Sequence, residues 1–164
     1  MDKTHLNEWL AQFQAKESIE IPDEIYNKIL TELRKNRVTD MKKLNLPYMK
    51  KILKKLHLTQ YYEHTTYIIS KLSGVPPPTI SRETEEKVRL MFRQIQVPFE
   101  RYCPKDRTNF LSYSYVLHKF FQLLELDDFV KYFPLLKSRE KLKHQDEIWG
   151  KICYDLNWDY YPSV

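Results

Sequence analysis

Apolar side chains recur every three or four positions along nearly all of this chain. No stretch alternates with the period of two that a half-buried strand requires. That spacing restricts the fold to an all-α, compact multi-helix domain. Its densest expression is NFLSYSYVLHKFFQLL, residues 109–124. At about 100° per residue, Tyr113, Val116, Leu117, Phe120, Phe121, Leu123 and Leu124 join Phe110 in an arc of about 160°. An arc that wide predicts a central hydrophobic helix wrapped by others. Ser114, His118, Gln122 and Glu125 share the remaining edge.

Punctuation residues divide the rest of the chain into helices. Residues 5–15 place Leu6, Trp9, Leu10 and Phe13 on one side. Pro22 and Asp23 open a second helix carrying Ile25, Ile29 and Leu33, with basic residues in its last turn, where the helix dipole favours them. A short turn follows at 39–44. Asn45 caps a third helix with Pro47 in its first turn. Thr59 caps a fourth, ending at Gly74. VPPPT, residues 75–79, cannot be helical and reads as an extended linker. Ser81 caps a helix with Val88, Met91, Phe92 and Ile95 on its apolar face, and Pro98 should kink or end it. Asn109 caps the central helix. Asp127 or Asp128 starts a short one through Phe133. Ser138 caps the last, and the tail WDYYPSV is extended.

The serine and histidine on the wet edge raise the question of catalysis. Ser114 and His118 lie four residues apart and could touch as a nucleophile and its base. A working triad also needs an orienting acid and an oxyanion site, and the sequence announces neither. With two glycines in 164 residues, phosphate loops and dinucleotide fingerprints are disfavoured as well. A polar edge with satisfied hydrogen bonds is the simpler reading, so no enzyme and no cofactor is expected. The two cysteines, Cys103 and Cys153, make no disulfide framework and fit a reducing interior. Cys103 with His118, or Cys153 with His144, gives pairs rather than a zinc set, so no metal is expected. No apolar run is long enough to cross a membrane, and the start has no signal-peptide pattern.

Charge gives the strongest functional signal. Residues 34–55 hold nine basic residues, Arg34, Lys35, Arg37, Lys42, Lys43, Lys50, Lys51, Lys54 and Lys55, against one acid, Asp40. The remainder carries 18 basic and 21 acidic residues, so a basic band sits on a slightly acidic body. A concentrated band is what a polyanion-binding surface needs. Lys50, Lys51, Lys54 and Lys55 form one patch on the third helix, opposite Met49, Ile52, Leu53 and Leu56. Lys105 and Arg107 precede the Asn109 helix start, a geometry that suits phosphate. The competing readings are a solvated face for the band and, for the loop, an Asp106–Arg107 pair. A second group, Lys137, Arg139, Lys141 and Lys143, is diluted by acids. Tyr61, Tyr62 and His64 could stack on bases but fit a core better.

The run NFLSYSYVLHKFFQLL, followed by YFPLLKSREKLKHQDEIWGKIC and DLNWDYYPS, resembles the poxvirus late transcription factor 3-like family of large nucleocytoplasmic DNA viruses. YYEHTTYI (61–68) and FERYCPKDRTNF (99–110) resemble it too. The resemblance covers roughly residues 45–164. It divides the chain into an N-terminal helical segment, 1–44, and a late transcription factor 3-like domain, 45–164, with a linker near 75–80. It implies a trans-acting factor for late viral genes, working on double-stranded promoter DNA with a viral RNA polymerase and other late transcription factors. It also implies a place in the cytoplasmic viral factory of an infected cell. The helix succession more weakly resembles the cyclin-like fold of B-class general transcription factors. Longer members of the family carry an upstream cysteine-rich metal-binding segment. This chain has no CxxC, so either it is a trimmed C-terminal domain or this member lacks the segment.

Two functions stay open: a DNA-binding domain contacting phosphates without strong sequence preference, and a protein-interaction module that docks on the transcription machinery. The first requires the basic band to face one exposed side. The second gains if Glu24, Glu32 or Asp40 interleaves with the band in space.

Overall fold

Short polar side chains fix most of the helix starts. In the computed structural model, which describes residues 2–16, 19–104 and 111–164, Asn45 accepts a hydrogen bond from the Tyr48 amide at 2.9 Å, Ser81 from Thr84, and Ser138 from Lys141. Each supplies an acceptor to an amide that has no partner within its helix. The described residues form eight α-helices and no strand. They are α1 (Lys3–Phe13), α2 (Asp23–Lys35), α3 (Leu46–Lys55), α4 (Thr65–Ser73), α5 (Arg82–Tyr102), α6 (Tyr113–Leu123), α7 (Asp127–Val130) and α8 (Arg139–Leu156). Gly74 stops α4 with a left-handed φ of 70°, a conformation glycine adopts without a Cβ clash.

Three expectations about helix ends are corrected. The central helix α6 starts at Tyr113, with Ser112 as its cap accepting from the Tyr115 amide at 3.1 Å. Asn109 lies outside the described residues. Thr59 begins a six-residue 3-10 helix through His64, and α4 proper starts only at Thr65. Pro98 does not end α5, which continues to Tyr102. Pro98 sits one turn from the helix end with its ring buried, so the lost amide costs one hydrogen bond and the fixed φ still suits a helix.

The chain divides into two compact units. Asn7–Thr79 form the N-terminal unit; Ile80–Val164, with the described residues up to Leu6, form the C-terminal unit. Leu44 and Asn45 both lie inside the N-terminal unit.

The N-terminal unit closes around Ile29 and Leu33 of α2, Met49, Ile52 and Leu53 of α3, Leu58, and Ile68 of α4. Each such side chain contributes on the order of 1.5–3 kcal/mol by leaving water. In the C-terminal unit α5 packs along α8, and α6 lies against α5 and α7. Val116, Leu117, Phe120 and Phe121 of α6 are fully buried. Phe120 meets Trp149 at 6.0 Å and Trp158 at 6.3 Å between ring centroids, and Phe121 stacks on Phe133 at 5.4 Å.

The burial of α6 goes further round than its apolar arc. Tyr115 and Lys119, both off that arc, are each 1% exposed. Lys119 Nζ donates to the Tyr161 carbonyl at 2.6 Å and lies 3.9 Å from Asp146 Oδ1. Asp146, itself 3% exposed, accepts from the Tyr115 hydroxyl at 2.6 Å and the Ser163 amide at 2.6 Å. The tail after α8 lies outside any helix and is fastened to a buried charge.

The wet edge of α6 is structural rather than reactive in its contacts. Ser114 Oγ donates to the Pro134 carbonyl at 2.8 Å, and His118 Nδ1–H donates to the Phe133 carbonyl at 2.8 Å. Both side chains turn to the α7–α8 connection rather than to each other. Burial holds the His118 imidazole below its usual pKa of 6.5, and the nearby Lys119 charge acts the same way. Because the unfolded chain then binds the proton more readily, stability is present above about pH 6.5 and declines as pH falls toward the folded value. Melting temperatures of the parent should drop across that interval more than those of His118→Gln. Equal pH profiles would contradict the assignment.

Candidate nucleic-acid interface

All nine residues of the basic band belong to the N-terminal unit, so their arrangement is set within one core. Arg34, Lys35 and Arg37 come from the last turn of α2 and the residues after it. Lys42 and Lys43 lie in a 3-10 turn, Met41–Lys43, and the other four lie on α3. Helices α2 and α3 are in contact, and two side-chain bonds tie them. Asn36 Nδ2 donates to the Tyr48 hydroxyl at 3.3 Å near one end, and Lys55 Nζ lies 2.5 Å from Glu32 Oε1 near the other.

The α3 lysines are not equivalent. At about 100° per residue the four span roughly 140°. The apolar side, centred on Met49, Ile52, Leu53 and Leu56, leaves Lys51 and Lys54 outermost and puts Lys50 and Lys55 on opposite flanks. Lys50 is accordingly half-buried, and that burial holds its ammonium below the usual lysine range. Lys55 is exposed but paired with Glu32. Glu32 itself is only 4% exposed, held by the Ile29–Leu33 side of α2. Its hydrogen bond to Lys55 keeps its carboxyl below the usual range, and the Lys35 charge adds to the effect.

Seven cations remain: Arg34, Lys35, Arg37, Lys42, Lys43, Lys51 and Lys54. All are exposed, and none forms an ion pair among the described residues. Asp40 is exposed too, but its carboxylate is engaged as the cap of the Lys42 amide at 3.1 Å. Glu24 pairs with Lys28 within α2 at 3.5 Å. Of the three acids that could interleave, Glu32 does so with a side chain and Asp40 through a backbone contact.

Other candidates are placed as follows. Lys105 and Arg107 lie outside the described residues. Tyr61 and Tyr62 pack on the N-terminal core, which answers the stacking question for them. No cluster of three or more potential metal ligands occurs among the described residues. The burial of Glu32 had a sequence signal, since it falls three residues after Ile29 and one before Leu33. Its pairing with a residue 23 positions away had none.

The likeness to known proteins extends further than the motifs alone suggested. The family described as "Poxvirus Late Transcription Factor VLTF3 like" matches residues 1–160, so the first 44 residues belong to the likeness as well. "Putative transcription factor R429" of Acanthamoeba polyphaga mimivirus is 48% identical over 160 residues, covering 98% of this chain and 37% of that protein. "Putative transcription factor A494R" of Paramecium bursaria Chlorella virus 1 is 44% identical over 160 residues, covering 98% of this chain and 44% of that protein. "Zinc finger protein B385R" of African swine fever virus is 28% identical over 137 residues, covering 79% of this chain and 36% of that protein. The chain therefore spans less than half the length of these relatives. No solved structure matches it. With a family match along almost the whole chain and relatives from several large DNA viruses, the chain belongs to the poxvirus late transcription factor VLTF3-like family.

Proposed function

We propose that this chain is a non-enzymatic, DNA-binding part of a viral late-gene transcription factor, acting with a viral RNA polymerase and other late factors in the viral factory. The observation that carries this reading is the set of seven exposed, unpaired cations on α2 and the residues after it, the Met41–Lys43 turn and α3, all within the N-terminal unit. Like charges one turn apart on a helix, such as Lys51 and Lys54, repel, and an anionic partner relieves the repulsion. Lysines and arginines without a preorganised donor set for base edges contact phosphates, which gives affinity without sequence preference. A cyclin-like arrangement is part of the same reading and is supported by the nearly all-round burial of α6.

Anisotropy of a labelled DNA duplex over a salt series tests the proposal. Log affinity should fall linearly with log salt, with a slope between about −4 and −6 if four to seven cations meet phosphates. A parent that does not bind at low salt would overturn it. A second reading, docking on a protein of the transcription machinery, is favoured by one observation: Glu32 places a carboxylate inside the band. Binding to polymerase without binding to duplex would select it.

A further inference from the structure

Two adjoining clefts on the C-terminal unit share Asp146, Glu147 and Tyr160. The first, of about 380 Å³, is walled by Tyr102, Tyr154 and Tyr160, with Lys151 at its rim. The second, of about 400 Å³, adds Arg139 and Lys143. One cleft is therefore aromatic and the next is cationic, with the Tyr160 ring common to both.

Two of the three rings are fixed by their hydroxyls. Tyr102 donates to Asp155 Oδ1 at 2.8 Å, and Asp155 is itself held by Arg101 at 2.6 Å. Tyr160 donates to the Asp146 carbonyl at 3.1 Å, and its ring lies over Gly150, where a Cβ would stand 3.4 Å away. The polar ends are thus satisfied while the rings line the cleft. Tyr154 is 86% exposed, an unusual position for a large aromatic side chain with no core to join. Lys151 Nζ stands 5.9 Å over the Tyr102 ring. Asp146 is consumed by its internal bonds; Glu147, exposed and 3.7 Å from His144 Nδ1, is the other carboxylate lining both clefts.

From this arrangement we infer that the C-terminal unit holds a second nucleic-acid contact, a tyrosine cleft that stacks an unpaired base of single-stranded DNA. A base stacked on the tyrosines could offer an exocyclic amino group to Glu147. Its phosphates would meet Lys151 on one side and Arg139 and Lys143 on the other. Rings already held in place lose little freedom on binding, and every base has a face to stack. A duplex hides those faces, so this cleft discriminates unpaired from paired DNA, as the basic band does not. The inference rests on the nucleic-acid reading of the whole chain.

The test titrates the full chain with a short labelled single strand and, separately, with a duplex. Tyr154→Ala is the first variant, because a side chain that exposed can be removed without disturbing the core. It should weaken single-strand binding about fivefold or more and leave duplex binding unchanged. Tyr154→Phe should bind as the parent does. Lys151→Gln should reduce the single-strand salt slope by about 0.7. Single-strand affinity unaffected by Tyr154→Ala, or duplex and single-strand affinities falling together, would overturn the cleft while leaving the band intact. A parent that binds neither form would overturn the nucleic-acid reading itself.

Discussion

Replacing Asp146 by alanine is expected to destabilise the C-terminal unit by about 3–5 kcal/mol, because it strands a buried ammonium. Lys119 has no route to water at 1% exposure, and Asp146 is the carboxylate within 4 Å of its Nζ. The same substitution frees the Tyr115 hydroxyl and the Ser163 amide, so the tail keeps only its bonds at Tyr160 and Tyr161. For a unit of this size the melting midpoint should fall by roughly 15 °C or more. Removing both charges with Lys119→Met and Asp146→Leu should recover part of that loss, since a buried pair exchanged for apolar side chains of similar volume is often neutral. Thermal melts of the three proteins decide the matter. An Asp146→Ala protein that melts with the parent would contradict the role assigned to this pair.

Phe120→Ala is the second large effect. Phe120 is fully buried on α6 against Trp149 and Trp158, which also meet each other at 6.3 Å, and its loss removes one ring of that triangle. A cavity lined by two indoles cannot collapse easily, so the cost should be about 3–5 kcal/mol. Urea unfolding followed by tryptophan emission measures it. Phe120→Leu should cost much less, because it keeps most of the volume. A loss under about 1 kcal/mol for the alanine variant would mean that α6 is not the centre of its unit.

Local chemistry was legible in the sequence where one turn of helix contains the whole cause. Asn45, Ser81 and Ser138 cap helices because acceptor and amide lie three residues apart, and Gly74 stops α4 where the backbone turns left-handed. Asn109 misled because a capping residue was read immediately before the apolar run, whereas Ser112, three positions later, makes the bond. Pairings across the fold were less legible. Nothing local to Lys119 announces a carboxylate 27 positions on, and a helical wheel puts this lysine about 40° outside the apolar arc, where solvent would be expected. The basic band was visible as composition, but its division into outer, half-buried and neutralised lysines depends on where α2 crosses α3. Lys50 and Lys51 are neighbours in sequence, yet they differ in burial because 100° of helix separates them.

The central claim is that the outer cations of α2 and α3, rather than net charge alone, hold DNA. It is tested most directly by comparing two charge-matched variants in the duplex salt series. Lys51→Gln with Lys54→Gln removes the two outermost charges of α3. Lys28→Gln with Lys71→Gln removes two charges from α2 and α4 of the same unit, outside the band. The first pair should reduce the salt slope by about 1.8 and the second should leave it unchanged. Equal slopes for the two variants would contradict the claim and reduce the band to a solvated surface.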